Sequence, residues 1–109
     1  MATLFKNSII KNVGTEPVQM YEVSPAGRTT VIGLSLTNLT EAIVFVDVLI
    51  KDDTSVEVYY VKEAAIPANS SLRAVQQGEK LILDGGNAIS VRSDLDDSVD
   101  AVLSYVEVV

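Results

Sequence analysis

The chain has 109 residues, of which 48% are hydrophobic, and its 8 basic and 15 acidic residues give a net charge of −7. This length fits one domain with one thin core, and the apolar content is far above that of disordered chains. The basic residues are scattered singly, which argues against binding to nucleic acid or to an anionic membrane, because both need clustered Lys and Arg.

The chemistry of the chain is limited by two absences. The sequence contains no Cys and no His, so disulfides and zinc sites are excluded, and the commonest general base is missing. No nucleophile motif and no phosphate-binding glycine loop occurs. We therefore expect no enzyme, no catalytic residue and no cofactor. Residues 1–6 lack the apolar core of a signal peptide, and no apolar run approaches the ~18–20 residues of a membrane span, so we expect synthesis in the cytoplasm of the cell that expresses the protein.

Short alternating segments run along the whole chain and are typical of β-strands. In the segment 31–36, the residues Ile32, Leu34 and Leu36 alternate with smaller ones and are expected on one face. The segment 42–51 is rich in β-branched residues, which favour strands over helices. The pattern predicts strands near residues 4–13, 17–23, 29–38, 42–51, 56–63, 71–76, 80–83, 88–93 and 98–108.

Turn-forming residues separate these segments. Residues 24–27, Ser-Pro-Ala-Gly, predict a turn in which the glycine supplies a positive φ. Residues 52–55 and 84–87 are typical of hairpin connections, and residues 67–70 and 77–79 indicate corners. No twelve-residue segment shows helical periodicity. The sequence therefore predicts an all-β fold: a single β-sandwich or jelly-roll-like domain over residues 1–109, with eight or nine short, mostly antiparallel strands.

Apolar residues exceed what one sandwich needs to fill its core. Residues 43–50 are apolar on both faces, and further apolar residues lie near both termini, whereas a solvated sheet face should be polar. Tyr59 and Tyr60 are adjacent on a strand, so we expect one in the core and one exposed. Either a second subunit covers the surplus or loops of the same chain do. The candidate interface residues are Leu4, Phe5, Ile9, Ile10, Phe45, Tyr59, Tyr60, Val106, Val108 and Val109. Residues 1–12 are predicted to form an arm or an edge strand.

One acidic cluster is compatible with metal binding. It consists of Asp94, Asp96, Asp97 and Asp100. Carboxylate oxygens suit Ca²⁺, but a twelve-residue calcium loop needs Gly at its sixth and Glu at its twelfth position. Counted from Asp94, those positions hold Val99 and Tyr105. We therefore interpret the cluster as a solvated acidic turn and predict no metal site.

Several segments carry a resemblance to a known family. They are TTVIGLSLTNLT at residues 29–40, VKEAAIPANSSL at 61–72 and AVLSYVE at 101–107, together with the opening at 12–15 and the turn at 24–27. The chain resembles a family of small virion proteins of tailed bacteriophages over nearly its whole length. These motifs are turn and core signatures rather than functional residues.

The resemblance implies a role in the virion. It implies a β-sandwich that acts as a capsid decoration (cement) protein, is homo-oligomeric and often trimeric, and binds itself and the major capsid protein or other virion proteins. No nucleic acid and no membrane is expected as a partner. A neck, tail or baseplate component is the first alternative. A glycan-binding fibre module is the second, although the chain has no Trp and only 6% aromatic residues.

Overall fold

The computed structural model describes residues 2–76 and 78–109. Met1, the first residue of the predicted domain, and Gln77, in the predicted corner at 77–79, lie outside the described residues. The described residues contain no helix, and hence none that is long and apolar enough to cross a membrane. Their strands are β1 (Thr3–Val13), β2 (Val18–Glu22), β3 (Arg28–Asn38), β4 (Val44–Lys51), β5 (Glu57–Ile66), β6 (Ser71–Val75), β7 (Leu81–Leu83), β8 (Ala88–Ser93) and β9 (Val99–Val108).

The strands form two antiparallel sheets. One has the order β1-β9-β3-β6, with β7 also paired to β3, and the other has the order β2-β8-β4-β5. The predicted all-β sandwich is therefore confirmed. The predicted strand bounds agree with the structure within a few residues, and the largest difference is the end of β5, which continues to Ile66 instead of residue 63.

The core lies between the two sheets and follows the alternation of the strands. On β4, Val44, Val46 and Val48 are buried. On β9, every second residue from Val99 to Tyr105 is buried, as is typical of a strand with one face toward the core. Full burial of one such aliphatic side chain stabilises the fold by about 1.5–3 kcal/mol.

A β-bulge changes the faces of β3. Val31 pairs with Tyr105, whereas the next paired residue, Gly33, pairs with Ser104. Ile32 is thus the extra residue of a bulge, which reverses the inward and outward positions that follow it. Ile32 is exposed while Leu34 is buried, so the prediction that they share a face is wrong.

The turn at residues 24–27 forms as predicted, but its glycine has a different role. The N–H of Gly27 donates to the carbonyl oxygen of Ser24 over 2.9 Å. Gly27 does not have a positive φ. A Cβ at this position would instead lie 2.8 Å from Oγ of Ser24 and 3.3 Å from Cγ1 of Val109. A larger residue here would have to displace the side chains of Ser24 and Val109, so glycine allows the turn to lie close to the end of β9.

Of the two predicted hairpins, one is confirmed. Residues 52–55 join the paired strands β4 and β5. Residues 84–87 also make a turn, in which the N–H of Asn87 donates to the carbonyl oxygen of Asp84 over 3.0 Å. However, this turn leads from β7 in one sheet to β8 in the other. It is a crossing between sheets, and the hairpin prediction is wrong there.

Candidate interaction surfaces

The outer face of the five-stranded sheet carries a row of exposed apolar side chains. Directly opposite residues of antiparallel strands point to the same side of a sheet. The pairing places Phe5, Val106, Thr30 and Ile82 in one line across β1, β9, β3 and β7. Phe5 is 75% exposed and Ile82 is 62% exposed. Exposed apolar patches of this kind mark interaction surfaces.

A second row runs parallel to the first. It contains Ile9, Val102, Ser35 and Arg73 on β1, β9, β3 and β6. Ile9 is 67% exposed, and Val102 is also open to water. The two rows, together with the bulged residue Ile32 between them, form a surface that we call the apolar face.

A recess separates the two rows. Its floor is formed by Asn7, Ser104 and Gly33, which pair across β1, β9 and β3. Gly33 has no side chain, and the nearest atom to a Cβ built there is Cβ of Ser104, 3.9 Å away. Ser104 lines both a shallow depression of about 630 Å³, on the side of Asn7, and a smaller one of about 140 Å³, on the side of Gly33. We call this recess, from Asn7 through Ser104 to Gly33, the Gly33 trough.

The apolar face is nearly neutral although the chain is acidic. Among the described strand residues whose pairing places them on this face, the charged ones are Arg28, Arg73 and Asp100. All three lie at its borders. The carboxylate of Asp100 already accepts a hydrogen bond from the N–H of Asn12 over 3.1 Å. The net charge of −7 is therefore carried by other surfaces.

The predicted interface residues of the terminal strands divide between two sides of the sheet. Those on the outer side are Phe5, Ile9, Val106 and Val108. Ile10 pairs with Ala101 and packs against the core. Leu4 pairs with Glu107 on the inner side, although it is partly open to solvent, and Val109 follows β9 and is exposed.

The two adjacent tyrosines of β5 are both exposed, Tyr59 by 46% and Tyr60 by 36%. The prediction that one of them lies in the core is wrong. Leu49 pairs with Tyr59 and Val48 pairs with Val61, so that Tyr60 is the extra residue of a bulge. Because β5 is also the edge strand of its sheet, no neighbouring strand covers either ring.

The outer face of the four-stranded sheet is polar and internally paired. Nε of Arg92 donates to Oδ2 of Asp47 over 2.9 Å, and its Nη2 donates to Oη of Tyr59 over 3.1 Å. Oδ1 of Asp47 accepts from the N–H of Glu63 over 2.8 Å. Phe45, the remaining predicted interface residue, lines the adjacent depression of about 310 Å³ together with these charged groups. Arg92 and Asp47 already pair with each other, which leaves the apolar face as the stronger candidate surface.

The sheet edges also differ in how open they are to another strand. On β5, Glu63 has a φ of +50° at a second bulge, and on β2 the pairing shifts after Gln19. The strands β6 and β7 are only five and three residues long. In contrast, β1 has eleven residues, and its register with β9 is uninterrupted from Thr3 to Ile10. Bulges and short lengths protect sheet edges, so β1 is the most open edge among the described strands.

The predicted acidic cluster anchors loops. Oδ1 of Asp94 accepts from the N–H of Phe45 over 3.0 Å. Oδ1 of Asp96 accepts from both the N–H and the hydroxyl of Thr15, at 3.1 and 3.0 Å. The N–H of Thr15, followed by its hydroxyl, lowers the pKa of Asp96. The described residues hold no group of three Asp, Glu, His or Cys side chains placed to bind a metal ion.

The sequence reasoning missed the apolar residues Ile32, Ile82 and Val102 of this face, and it also missed Gly33 in the recess. Val102 carries a signal, because it alternates with buried residues of β9. Ile82 lies in a strand of three residues, which is too short to show a period. Ile32 and Gly33 owe their positions to the bulge, which has no sequence signature of its own here.

The comparison with solved structures finds proteins of similar fold at sequence identities of 5%, 8% and 7%. No protein-family model matches the chain, and no curated protein matches it. The fold is similar to a chain of the T13 viral particle of IBDV, with 5% identity and a TM-score of 0.55 over 96% of this chain and 30% of that one. It is similar to the VP2 subviral particle of infectious bursal disease virus, with 7% identity and a TM-score of 0.54 over 97% of this chain and 31% of that one.

A further similarity is to endospore appendages of Bacillus, which form disulfide-linked pili. The identity is 8% and the TM-score is 0.56, over 96% of this chain and 86% of that one. The chain thus spans about 30% of the length of the virus chains and most of the appendage chain. At such low identity these similarities show a shared fold: the chain has a sandwich fold that also occurs in viral structural proteins.

Proposed function

We propose that this chain is a structural protein of a virus particle, and that it decorates the outer shell of a tailed bacteriophage as a cement protein. The apolar face carries the proposal, because a rigid acidic sandwich with one neutral apolar surface is suited to assembly. The sequence resemblance and the fold shared with virus-particle chains support it. The proposal assigns no catalysis and no cofactor to the chain, and its partners are further copies and the major capsid protein.

Decoration stabilises a shell by mass action. A protein that binds only the assembled lattice stabilises it by RT ln(1 + [L]/Kd) per site, which is about 2.7 kcal/mol when the free protein is at 100 times Kd. The net charge of −7 keeps such a protein away from the packaged nucleic acid, which is also negative.

The open edge of β1 provides a contact to the shell. We propose that an extended segment of the capsid protein pairs with the free side of β1, so that backbone hydrogen bonds extend the sheet. Residues 2–7 are all exposed, whereas Ile10 packs against the core. The part of β1 available to a partner is therefore its first half.

Copy number in purified particles tests the proposed position. Particles are banded on a density gradient, and the chain is quantified by mass spectrometry relative to the major capsid protein. A ratio of one chain per capsid subunit, or of one chain per capsomer, supports decoration of the shell. A ratio that corresponds to a single ring per particle would move the chain to the neck, tail or baseplate. Absence from the particles would overturn a virion role.

Deletion of residues 2–7 tests the contact through β1. Shells prepared without this protein are mixed with the wild-type or the truncated chain and sedimented. We expect the truncated chain to stay in the supernatant while its circular dichroism spectrum remains that of a β-sandwich. Unchanged co-sedimentation of a folded truncated chain would contradict the role of β1.

A filament subunit similar to the Bacillus appendages is less well supported. Those pili are described as disulfide-linked, and this sequence contains no Cys. A glycan-binding fibre module has no support beyond two exposed tyrosines on β5, and the hydroxyl of Tyr59 already accepts a hydrogen bond from Arg92.

A further inference from the structure

The apolar face carries a projecting side chain beside a recess. Phe5, the most exposed of its large apolar residues, stands at the rim of the Gly33 trough and lines the depression of about 630 Å³. A surface that holds both a projection and a neighbouring recess complements itself when a second copy is turned by 180°. We infer that two copies of this chain pair through the apolar face about a twofold axis, with Phe5 of each copy seated in the Gly33 trough of the other.

Charge favours a second copy as the occupant. Two chains of net charge −7 repel each other over most of their surfaces. The apolar face is the region where this repulsion is smallest, because its paired positions carry two arginines and one aspartate, all at the border. A twofold contact between like faces therefore brings no cluster of acidic groups together.

The outer side of the five-stranded sheet, of which the apolar face is the middle part, is large enough for a stable pair. Its long strands have ten or eleven residues and are about 35 Å long, and four strands side by side are about 15–19 Å wide, which gives about 600 Å² per copy. Two copies would bury about 1,200 Å² in total, the lower end of the range for specific interfaces. Phe5 lies on the edge strand β1 and is an exposed aromatic residue, a type that is enriched at the buried cores of interfaces.

This inference rests on the proposed function in one respect, because both require that copies of the chain associate with each other. It differs from the sequence resemblance, which implies a trimer, by proposing a twofold pair. It assigns the apolar face to a second copy and leaves the free side of β1 to the shell. The two contacts use different groups, because pairing through the face uses side chains whereas pairing at the edge uses the backbone of β1.

Sedimentation equilibrium of the full chain tests the inference. Over a concentration series we expect a reversible change from the mass of one chain to the mass of two. Phe5→Asp places a charge in the contact and should reduce the association constant at least tenfold. Gly33→Val places a side chain in the trough that receives Phe5 of the other copy, and it should have the same effect.

The second substitution separates pairing from folding. Gly33 is in a strand, and a Cβ there meets no atom closer than 3.9 Å, so valine should leave the urea midpoint unchanged or raise it. Tyr60→Asp, on the bulge of the opposite sheet, is the matched control and should pair as the wild type does.

Three results would overturn the inference. The first is a wild-type chain that stays monomeric at about 100 μM, a concentration well above a micromolar Kd. The second is a wild-type trimer. The third is pairing that survives both Phe5→Asp and Gly33→Val. Failure of the virion role is distinguishable, because a pair that forms in solution but is absent from particles would retain the inference and reject the proposed function. Because Gly33→Val leaves β1 unchanged, co-sedimentation of this variant with shells measures whether an unpaired chain binds the shell.

Discussion

Tyr21 and Glu107 lie in different sheets, and Oη of Tyr21 donates a hydrogen bond to Oε2 of Glu107 over 2.8 Å. The hydroxyl of Thr29 lies 2.9 Å from the same Oη, and Nζ of Lys6 lies 3.4 Å from the other carboxylate oxygen. The rings of Tyr21 and Tyr105 are 4.2 Å apart. Burial is the main cause that raises the pKa of Tyr21 to about 12. A polar link thus connects the two sheets beside the core.

The substitution Tyr21→Phe should destabilise the protein by about 1–2 kcal/mol, because it leaves the buried hydroxyl of Thr29 without its partner. Urea unfolding at neutral pH measures the difference. Tyr60→Phe is the control, since Tyr60 is exposed, and it should change the free energy of unfolding by less than about 0.5 kcal/mol. Equal losses in the two variants would contradict a special role for the link.

The same link predicts acid sensitivity. The hydrogen bond from Tyr21, followed by Lys6, lowers the pKa of Glu107 below its ordinary value of 4.5. The unfolded chain therefore binds a proton at a higher pH than the folded chain does. The contribution of Glu107 to stability is complete above about pH 4.5 and is lost as the pH falls through the lowered pKa.

Glu107→Gln should make the urea midpoint fall less between pH 7 and pH 3 than it does in the wild type. Glu16→Gln, which removes the carboxyl group of an exposed loop residue, is the matched control and should retain the wild-type slope. An identical slope in all three proteins would show that the lowered pKa of Glu107 does not contribute to acid unfolding.

Asn38 is buried and connects three segments. Its Nδ2 donates to the carbonyl oxygens of Ala42, Ile66 and Pro67 at 2.8, 3.0 and 3.2 Å, and its Oδ1 accepts from the N–H of Thr40 at 2.8 Å. Asn38→Asp replaces the donor by a carboxylate that faces three carbonyl oxygens. We expect a loss of more than about 3 kcal/mol, or failure to fold, because a buried charge is left unpaired.

The control for Asn38→Asp is Gln19→Glu, which adds the same charge at an exposed position of β2. Thermal unfolding followed by circular dichroism should show a shift within the error of wild type for Gln19→Glu. Similar melting temperatures for the two variants would exclude Asn38 as the centre of this network.

The hairpin between β4 and β5 contains a residue in a left-handed conformation. Ser55 has a φ of +69°, and its N–H donates to the carbonyl oxygen of Asp52 over 3.2 Å. Ser55→Gly should raise the free energy of unfolding by about 0.5–1 kcal/mol, because glycine adopts a positive φ without the clash of a Cβ. Thr54→Gly, at a position without positive φ, should lower it. A lower stability of Ser55→Gly than of wild type would contradict this account.

The strands could be predicted because their signals are local. Alternation predicted the strand near residues 98–108, and turn residues predicted the hairpin at 52–55. The bulges at Ile32 and Tyr60 could not be predicted, because each depends on the register of a partner strand that is distant in sequence. For the same reason, the end of β5 was misplaced at Glu63, where the left-handed residue interrupts the alternation.

The sequence predicted that an apolar surface exists, but it did not predict where that surface lies on the fold. A surplus of apolar residues showed that a surface had to be exposed or covered, and Phe5 and Ile9 were found in this way. The faces themselves depend on which strands are neighbours, and the pairing of β1 with β9 joins the two ends of the described chain. The sequence pattern also did not distinguish Ile9, which faces outward, from Ile10, which faces the core.

This pairing of the first strand with the last has a consequence for synthesis. β9 is the central element between β1 and β3, and the ribosome makes it last of the nine described strands. At 5–20 residues per second, β1 therefore waits on the order of 5–20 s for its partner. The rows that contain Val102 and Val106 do not exist until β9 has been made. Neighbouring chains on one messenger RNA thus cannot pair through this surface before that point, which delays their assembly.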